Sequence, residues 1–302
     1  MGVYMLDIDS SERDPVAYPD PADYVIDLTN YIYNVTKISL VSARIHSSQL
    51  LINARNNTFA ISGTTVSLAN NNYSGKSLAQ ELVDKSSNVT SAVYDSNVNS
   101  ITMTGDEPFT FDFYDGPNGF ASNVEGYTTP HDILGLPASN VASVGTTLTT
   151  GSINLQGPDA LIFRLSSGSE AFNKTVFSDT PFYTGRILTC GDVVNYSGAD
   201  DAVVHTFDTG PIQTVSRLRV QFFYSSNNRL IPYDFRHANH IIKLSVECST
   251  DKLENVPRVR KDFSLPPPVQ LPEMEGLDRW GPYVTIVLII LSGLILIMAR
   301  KT

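Results

Sequence analysis

A run of seventeen uncharged residues, Tyr283 to Ala299 (YVTIVLIILSGLILIMA), is the feature that most restricts what this chain can become. As a helix it is about 25 Å long, at the lower edge of what spans a bilayer core of roughly 30 Å. Arg279 and Trp280 precede it, and Arg300 and Lys301 follow it. Trp280 and Tyr283 suit one membrane interface, and Arg300 with Lys301 can snorkel at the other. Gly281 and Pro282 supply a helix entry. A buried core helix is the competing reading, but the stretch is C-terminal, longer than a strand and preceded by a linker. A transmembrane anchor over 281–302 is therefore expected, of the tail-anchored kind that leaves the preceding domain on the cytoplasmic side. Its basic end runs against the positive-inside tendency, yet so short a tail weighs little beside a large folded domain.

The opening MGVYMLDIDSSERDP puts acidic residues where a signal peptide needs a basic n-region, so a cleaved leader is not expected. The N-x-S/T sequons at Asn34, Asn56, Asn72, Asn88, Asn173 and Asn195 then reflect an Asn/Ser/Thr-rich composition, and matter only if the domain is translocated. With 21 basic against 31 acidic residues and a net charge of −10, the chain is not built to coat nucleic acid, and no direct sequence-specific nucleic-acid binding is expected. Charged residues make up only 17%, below the roughly 25% usual for a soluble domain, which favours a β-rich protein with much of its surface in contact. Cys190 and Cys248 are too few for a disulfide framework or a four-cysteine zinc site. Two free thiols are the plainer reading, with an isolated disulfide left open.

Along the chain, residues 1–23 read as an extended N-terminal arm interrupted by Pro15, Pro19 and Pro21. From Tyr24 to Ile45, β-branched and aromatic residues in partial alternation predict two strands. Short strands follow at 58–61, 65–68, 89–94, 100–104 and 108–114, separated by Asn, Gly and Asp clusters. Ser74 to Lys85 predicts the first helix, with Leu78, Leu82 and Val83 on one face and Ser74 or Ser77 as cap. Asp132–Leu136 predicts a brief helical or tight-turn element, and 139–157 a loop with weak β character. A second set of strands is expected at 160–165, 186–189, 203–207, 217–224 and 240–247. Nothing reads as βαβ. The pattern predicts an all-β, jelly-roll-like β-sandwich over 24–249 with short helices, then a linker over 250–280 carrying Pro257, Pro266, Pro267, Pro268 and Pro272. The linker's basic run, Arg258, Arg260 and Lys261, suits anionic headgroups or an acidic neighbour, with a solvated linker as the alternative.

Chemistry is poorly supported. Asp7-Ile8-Asp9 after an apolar run superficially resembles a phosphate-transfer pair, but the α/β context is missing. His237 and His240 are spaced by three, neither the helical zinc spacing nor an even strand-face spacing. No GxSxG elbow, Walker loop or dinucleotide fingerprint occurs. No enzyme, catalytic residue, metal or cofactor is expected. Arg13, Asp14 and Tyr18 form a cluster suited either to an interface or to an intramolecular clamp, and His46 is a surface or interface candidate.

Several stretches carry a resemblance: SSERDPVAYPDPADYVIDL (10–28), VTKISLVSARIHSSQLLINARNNTFAI (35–61), NNYSGKSLAQEL (71–82), DILGL (132–136) and RLRVQFFYSSNNRLIPYDFRHANHIIKLSVEC (217–248). Together they resemble the minor capsid, membrane-facing structural proteins of large icosahedral double-stranded DNA viruses of algae and protists. His46 stands where Pro is common in that pattern, and Pro232 where Gly is often seen. The resemblance implies a jelly-roll-like fold and a structural role linking the capsid shell to an internal viral membrane. It implies the major capsid protein, other minor capsid proteins and membrane lipids as partners. It also implies a place in the virion beneath the outer shell, after assembly at cytoplasmic sites. The alternative is a tail-anchored β-sandwich receptor or ligand-binding module.

Overall fold

The computed structural model describes residues 2–122, 124–166, 185–189, 191–207, 212–249 and 280–300. The chain divides into two compact units, 1–255 and 256–302.

In chain order the first unit begins with β1 (Gly2–Asp9) and β2 (Asp23–His46). It continues with β3 (Thr58–Ile61), β4 (Thr64–Ser67), α1 (Gly75–Lys85), β5 (Ser91–Asp95), β6 (Ser100–Thr104), β7 (Thr110–Phe111), β8 (Val141–Ala142) and β9 (Thr147–Thr149). Then come β10 (Ala160–Ser166), β11 (Arg186–Leu188), β12 (Val193–Ser197), β13 (Val203–Thr206), β14 (Ile212–Ser226), β15 (Arg229–Pro232) and β16 (Ile241–Cys248). The second unit contains α2 (Gly281–Ala299).

The all-β, sandwich-like class expected from the sequence is what the described residues form. β2 organises it. Its first part pairs with β14, whose other edge takes β10 and then β11. Its second part lies between β16, followed by β1, and the pair β12 and β13. The two strands expected between Tyr24 and Ile45 are thus one strand of 24 residues, broken by irregularities rather than by a turn. Leu28–Tyr31 bulge out opposite β14, and Asn34 takes a positive φ of 57° just before β16 joins. Bulges of this kind let one strand serve both halves of a curled sheet.

Alternation then sets the core. Leu218, Val220 and Phe222 of β14 point inward with Leu161, Phe163 and Leu165 of β10, and they meet Ile38, Leu40, Ile242 and Leu244 from the other half. On the outer row Arg219 grips Asp23 with two bonds of 2.6 and 2.7 Å, Arg217 pairs with Asp27, and Lys37 reaches Glu247 at 2.7 Å. Such exposed cross-strand pairs are screened by solvent, so they set register more than stability.

Residues 51–155 build a second lobe with its own core, inserted between β2 and β10. One sheet runs β4-β3-β7-β8 and the other β5-β6-β9. Phe59, Phe111 and Phe113 pack within 5.7 Å of one another between them. α1 starts where expected: Ser74 and Ser77 form a reciprocal capping box, and Leu78 and Leu82 are buried. The DILGL segment is a tight turn. Gly135 there has φ of +63°, and a Cβ would meet the Ser152 carbonyl oxygen at 2.5 Å, so only glycine fits.

Candidate interaction surfaces

The N-terminal stretch opens with a strand that is held by its own chain. β1 pairs with β16 along its whole length, from Gly2 opposite Cys248 to Asp9 opposite Ile241. A short 3₁₀ turn follows, capped by Asp9 Oδ1, which accepts from Ser11 N–H at 2.8 Å. Arg13 then gathers the turn. It donates to the carbonyl oxygens of Ser10 (2.5 Å), Tyr18 (2.9 Å) and Pro19 (3.3 Å), and to Asn239 Oδ1 (2.9 Å). Asp14 accepts from the amides of Val16 and Ala17, and Tyr18 packs partly buried on the first core. Arg13, Asp14 and Tyr18 thus lie in one turn, where the donors of Arg13 are taken up within the chain and Asp14 stays exposed. His46 sits apart, exposed at the end of β2 opposite Val193.

Beneath this turn lies His240. Its ring is buried among Tyr24, Phe222 and Phe235, with Nε2 sharing a hydrogen bond with the Tyr24 hydroxyl at 3.0 Å. Its backbone N–H donates to Ser10 Oγ, and its carbonyl accepts from Ser10 N–H. Burial, helped by the nearby Arg13 charge, pushes its pKa down to about 3. The ring is neutral at physiological pH, and its Nδ1 has no partner among the described residues.

The two lobes are joined through Arg229 and a cleft. Asn227 and Asn228, both at positive φ, turn β14 into β15 and present Arg229 to the second lobe. Its guanidinium donates to the carbonyl oxygens of Asn118, Gly119, Ser122 and Tyr127 and lies 4.5 Å over the Phe120 ring. Beside it a cleft of about 400 Å³ is floored by Tyr224, Thr128 and Ser226, the last two sharing a 2.6 Å hydroxyl contact. Asp132, Asp159 and Arg186 stand at its exposed margin. The neighbouring His131 is buried, which lowers its pKa, while Asp132 at 3.3 Å opposes that shift. Among the described residues no group of three or more His, Cys, Asp or Glu side chains could hold a metal ion.

In the second unit, α2 has nineteen residues and none is buried against protein. At 1.5 Å per residue that is about 28 Å of helix, close to a bilayer core. Its polar side chains turn back on the helix, Thr285 donating to the Gly281 carbonyl and Ser292 to that of Ile289. Trp280 and Tyr283 lie together at its start, ring centres 6.3 Å apart, and Arg300 closes it. Length, apolar character and internally satisfied polar groups are the requirements for spanning a membrane.

Residues 2–235 match a family model described as a family of unknown function (DUF5901). The chain belongs to that family. No curated protein matches the sequence. Among solved structures, the selenomethionine-labelled mavirus penton protein superposes at a TM-score of 0.37 with 10% identity, covering 82% of this chain and all of that one. The Sputnik virophage structure from cryo-electron microscopy superposes at 0.32 with 12% identity, covering 82% of this chain and 98% of that one. Superpositions this loose carry no functional argument.

The DUF5901 match takes in β1, β2, the inserted lobe and the strands through β15, and it stops before β16 and α2. Of the surface candidates, Arg13, Asp14, Tyr18 and His46 lie inside it, and Trp280, Tyr283 and Arg300 outside. Arg258, Arg260, Lys261, Lys301 and Cys190 lie outside the described residues, while Cys248 carries a buried free thiol. Sequence reasoning missed Arg229 as the joint between lobes. The Asn-Asn pair ahead of it was the available signal, since adjacent residues able to take positive φ mark a two-residue hairpin loop.

Proposed function

We propose that this chain is a minor capsid protein that ties an icosahedral shell to the viral membrane beneath it. The observation that carries the reading is α2, an apolar helix in which no described residue is buried, in a chain whose main body is a two-lobed β unit. A β unit gives a rigid contact surface, and an exposed apolar helix gives a grip on lipid. The sequence resemblance to membrane-facing minor capsid proteins supplies the setting that joins them. The mechanism is adhesion: the β unit meets the major capsid protein or other minor capsid proteins, α2 holds the internal membrane, and the linker 250–280 sets the span. Repetition on a symmetric lattice raises effective concentration, so individually weak contacts suffice.

The direct test is fractionation of purified particles. This reading places the chain in the virion and extracts it only with detergent, after the outer shell is opened. Recovery from the outer surface of intact particles by mild protease would contradict it.

The interlobe cleft favours a second reading, a tail-anchored ligand-binding β-sandwich module. A translocated domain of that kind carries glycans at exposed sequons such as Asn72 and Asn195, seen as a mass loss on glycosidase treatment. The capsid reading predicts no mass change.

A further inference from the structure

β1 ends the main sheet, and the bonding ladder shows which of its backbone groups are free to pair again. Ser10 N–H donates to the His240 carbonyl at 2.9 Å, continuing the register of β1 against β16. In an antiparallel ladder the residues that exchange bonds alternate, so Gly2, Tyr4, Leu6 and Ile8 bond to β16. Val3, Met5, Asp7 and Asp9 then aim their N–H and C=O groups the other way. Among the described residues no strand takes that edge.

The side chains on this edge divide in two. Val3, Tyr4 and Met5 are 59%, 50% and 54% exposed, three successive apolar residues at the open end. Asp7 and Asp9 occupy the other end, next to the Arg13 turn. Edge strands are ordinarily blunted by charge, proline or a covering element. Here the acidic half is blunted and the apolar half is not.

We infer that the apolar half of β1 is a self-pairing edge, joining β1 of a second copy of this chain in antiparallel register about a two-fold axis at Tyr4. That register sets Val3 opposite Met5 of the second copy and Tyr4 opposite Tyr4. The outward amides of Val3 and Met5 meet their counterparts, and each residue of the exposed trio gains a cross-strand apolar neighbour. It also carries Asp7 and Asp9 of each copy past the other's strand, so no two carboxylates face each other. A register centred on Asp7 would stack them. A register centred on Met5 would also pair outward amides but set Asp7 against Val3, so the carboxylates favour the Tyr4-centred offset, and the exposed apolar residues supply the contact. The overlap spans Gly2 to Leu6, too short for a tight dimer in dilute solution. It suits copies held side by side on a surface, where effective concentration is high. The pairing rests on the edge itself, and rests on the proposed reading only for the surface that concentrates the copies.

The test is disulfide trapping in the full-length chain, reconstituted in phosphatidylcholine vesicles and mildly oxidised. Tyr4 residues facing across the axis form a non-hydrogen-bonded pair with Cα atoms about 4.5 Å apart, within the roughly 4.4–6.8 Å that a disulfide accepts. Tyr4→Cys is expected to give a covalent dimer. Asp7→Cys, whose two copies would be about 20 Å apart along the strands, is expected to stay at the wild-type background. Adding Met5→Pro to Tyr4→Cys removes an outward amide and none of the bonds to β16. The dimer should disappear while the melting temperature holds. Flotation of the vesicles reports anchoring separately; should the chain stay in the aqueous fraction, the same oxidation on the concentrated soluble chain is read in the same way. No Tyr4→Cys dimer, an equal yield from Asp7→Cys, or persistence of the dimer with Met5→Pro would each overturn the inference.

Discussion

His240 shows how a single buried group ties the N-terminal turn to solution conditions. Its pKa falls to about 3 in the folded protein, against about 6.5 when unfolded, so over that interval the unfolded chain binds more protons. The stability it contributes is complete above about pH 6.5 and is lost as pH drops toward 3, at up to about 1.4 kcal/mol per pH unit. His131, also lowered by burial, acts in the same direction. Asp9, held down by its bond to the Ser11 amide, adds its loss only below the ordinary carboxylate range. Melting temperatures should therefore decline between pH 6.5 and 4, before the carboxylates titrate. The His240→Gln variant, which keeps a partner for the Tyr24 hydroxyl, should show a shallower decline; an unchanged slope would remove His240 as its source. Arg13→Ala should cost about 1.5–3 kcal/mol, because a charged donor serving several acceptors is lost. In the same variant the His240 pKa, followed by NMR, should rise with the Arg13 charge gone.

At the scale of elements, the joint between lobes rests on the β14–β15 hairpin and the Gly135 turn. Lysine cannot reproduce a planar fork that serves carbonyl oxygens and stacks on Phe120, so Arg229→Lys is expected to destabilise by about 1–3 kcal/mol. Limited proteolysis should then cut first within 118–127; wild-type cleavage kinetics would argue against the joint. Gly135→Ala should cost more than about 1 kcal/mol in chemical unfolding, from positive φ and a blocked Cβ together. Local pattern made α1, β3, β6, β10 and β16 legible, because capping serines and strict alternation act over a few residues. β1, by contrast, reads as an arm, since its apolar residues at 3–5 are consecutive and the partner that makes it a strand lies more than 230 positions away. The long β2 reads as two strands because bulges, unlike turns, leave no Gly or Pro behind. The second core in residues 51–155 was hidden for a similar reason: alternation shows that a side chain is buried, but not which core receives it. Arg13, Asp14 and Tyr18 were legible as a cluster, but the backbone carbonyls and Asn239 that take up the Arg13 donors were not, because Asn239 lies 226 positions away.

Across the whole molecule, a two-lobed β unit is combined with an apolar helix in which no described residue is buried. If α2 sits in lipid, charge at its centre is costly at about 2.5–3.5 kcal/mol per residue. The double variant Ile289→Arg, Ile290→Arg should abolish co-flotation of the full-length chain with vesicles, while Ile290→Leu should leave it intact. Retained flotation of the arginine variant would deny α2 the role of anchor. The most direct measurement of the central claim is a high-resolution cryo-electron microscopy map of intact particles from the source of this sequence. The account predicts density for the β unit beneath the capsid shell, continuing as a single rod into the underlying membrane. A chain absent from particles, or bound on the outer face of the shell with no density entering lipid, would contradict it.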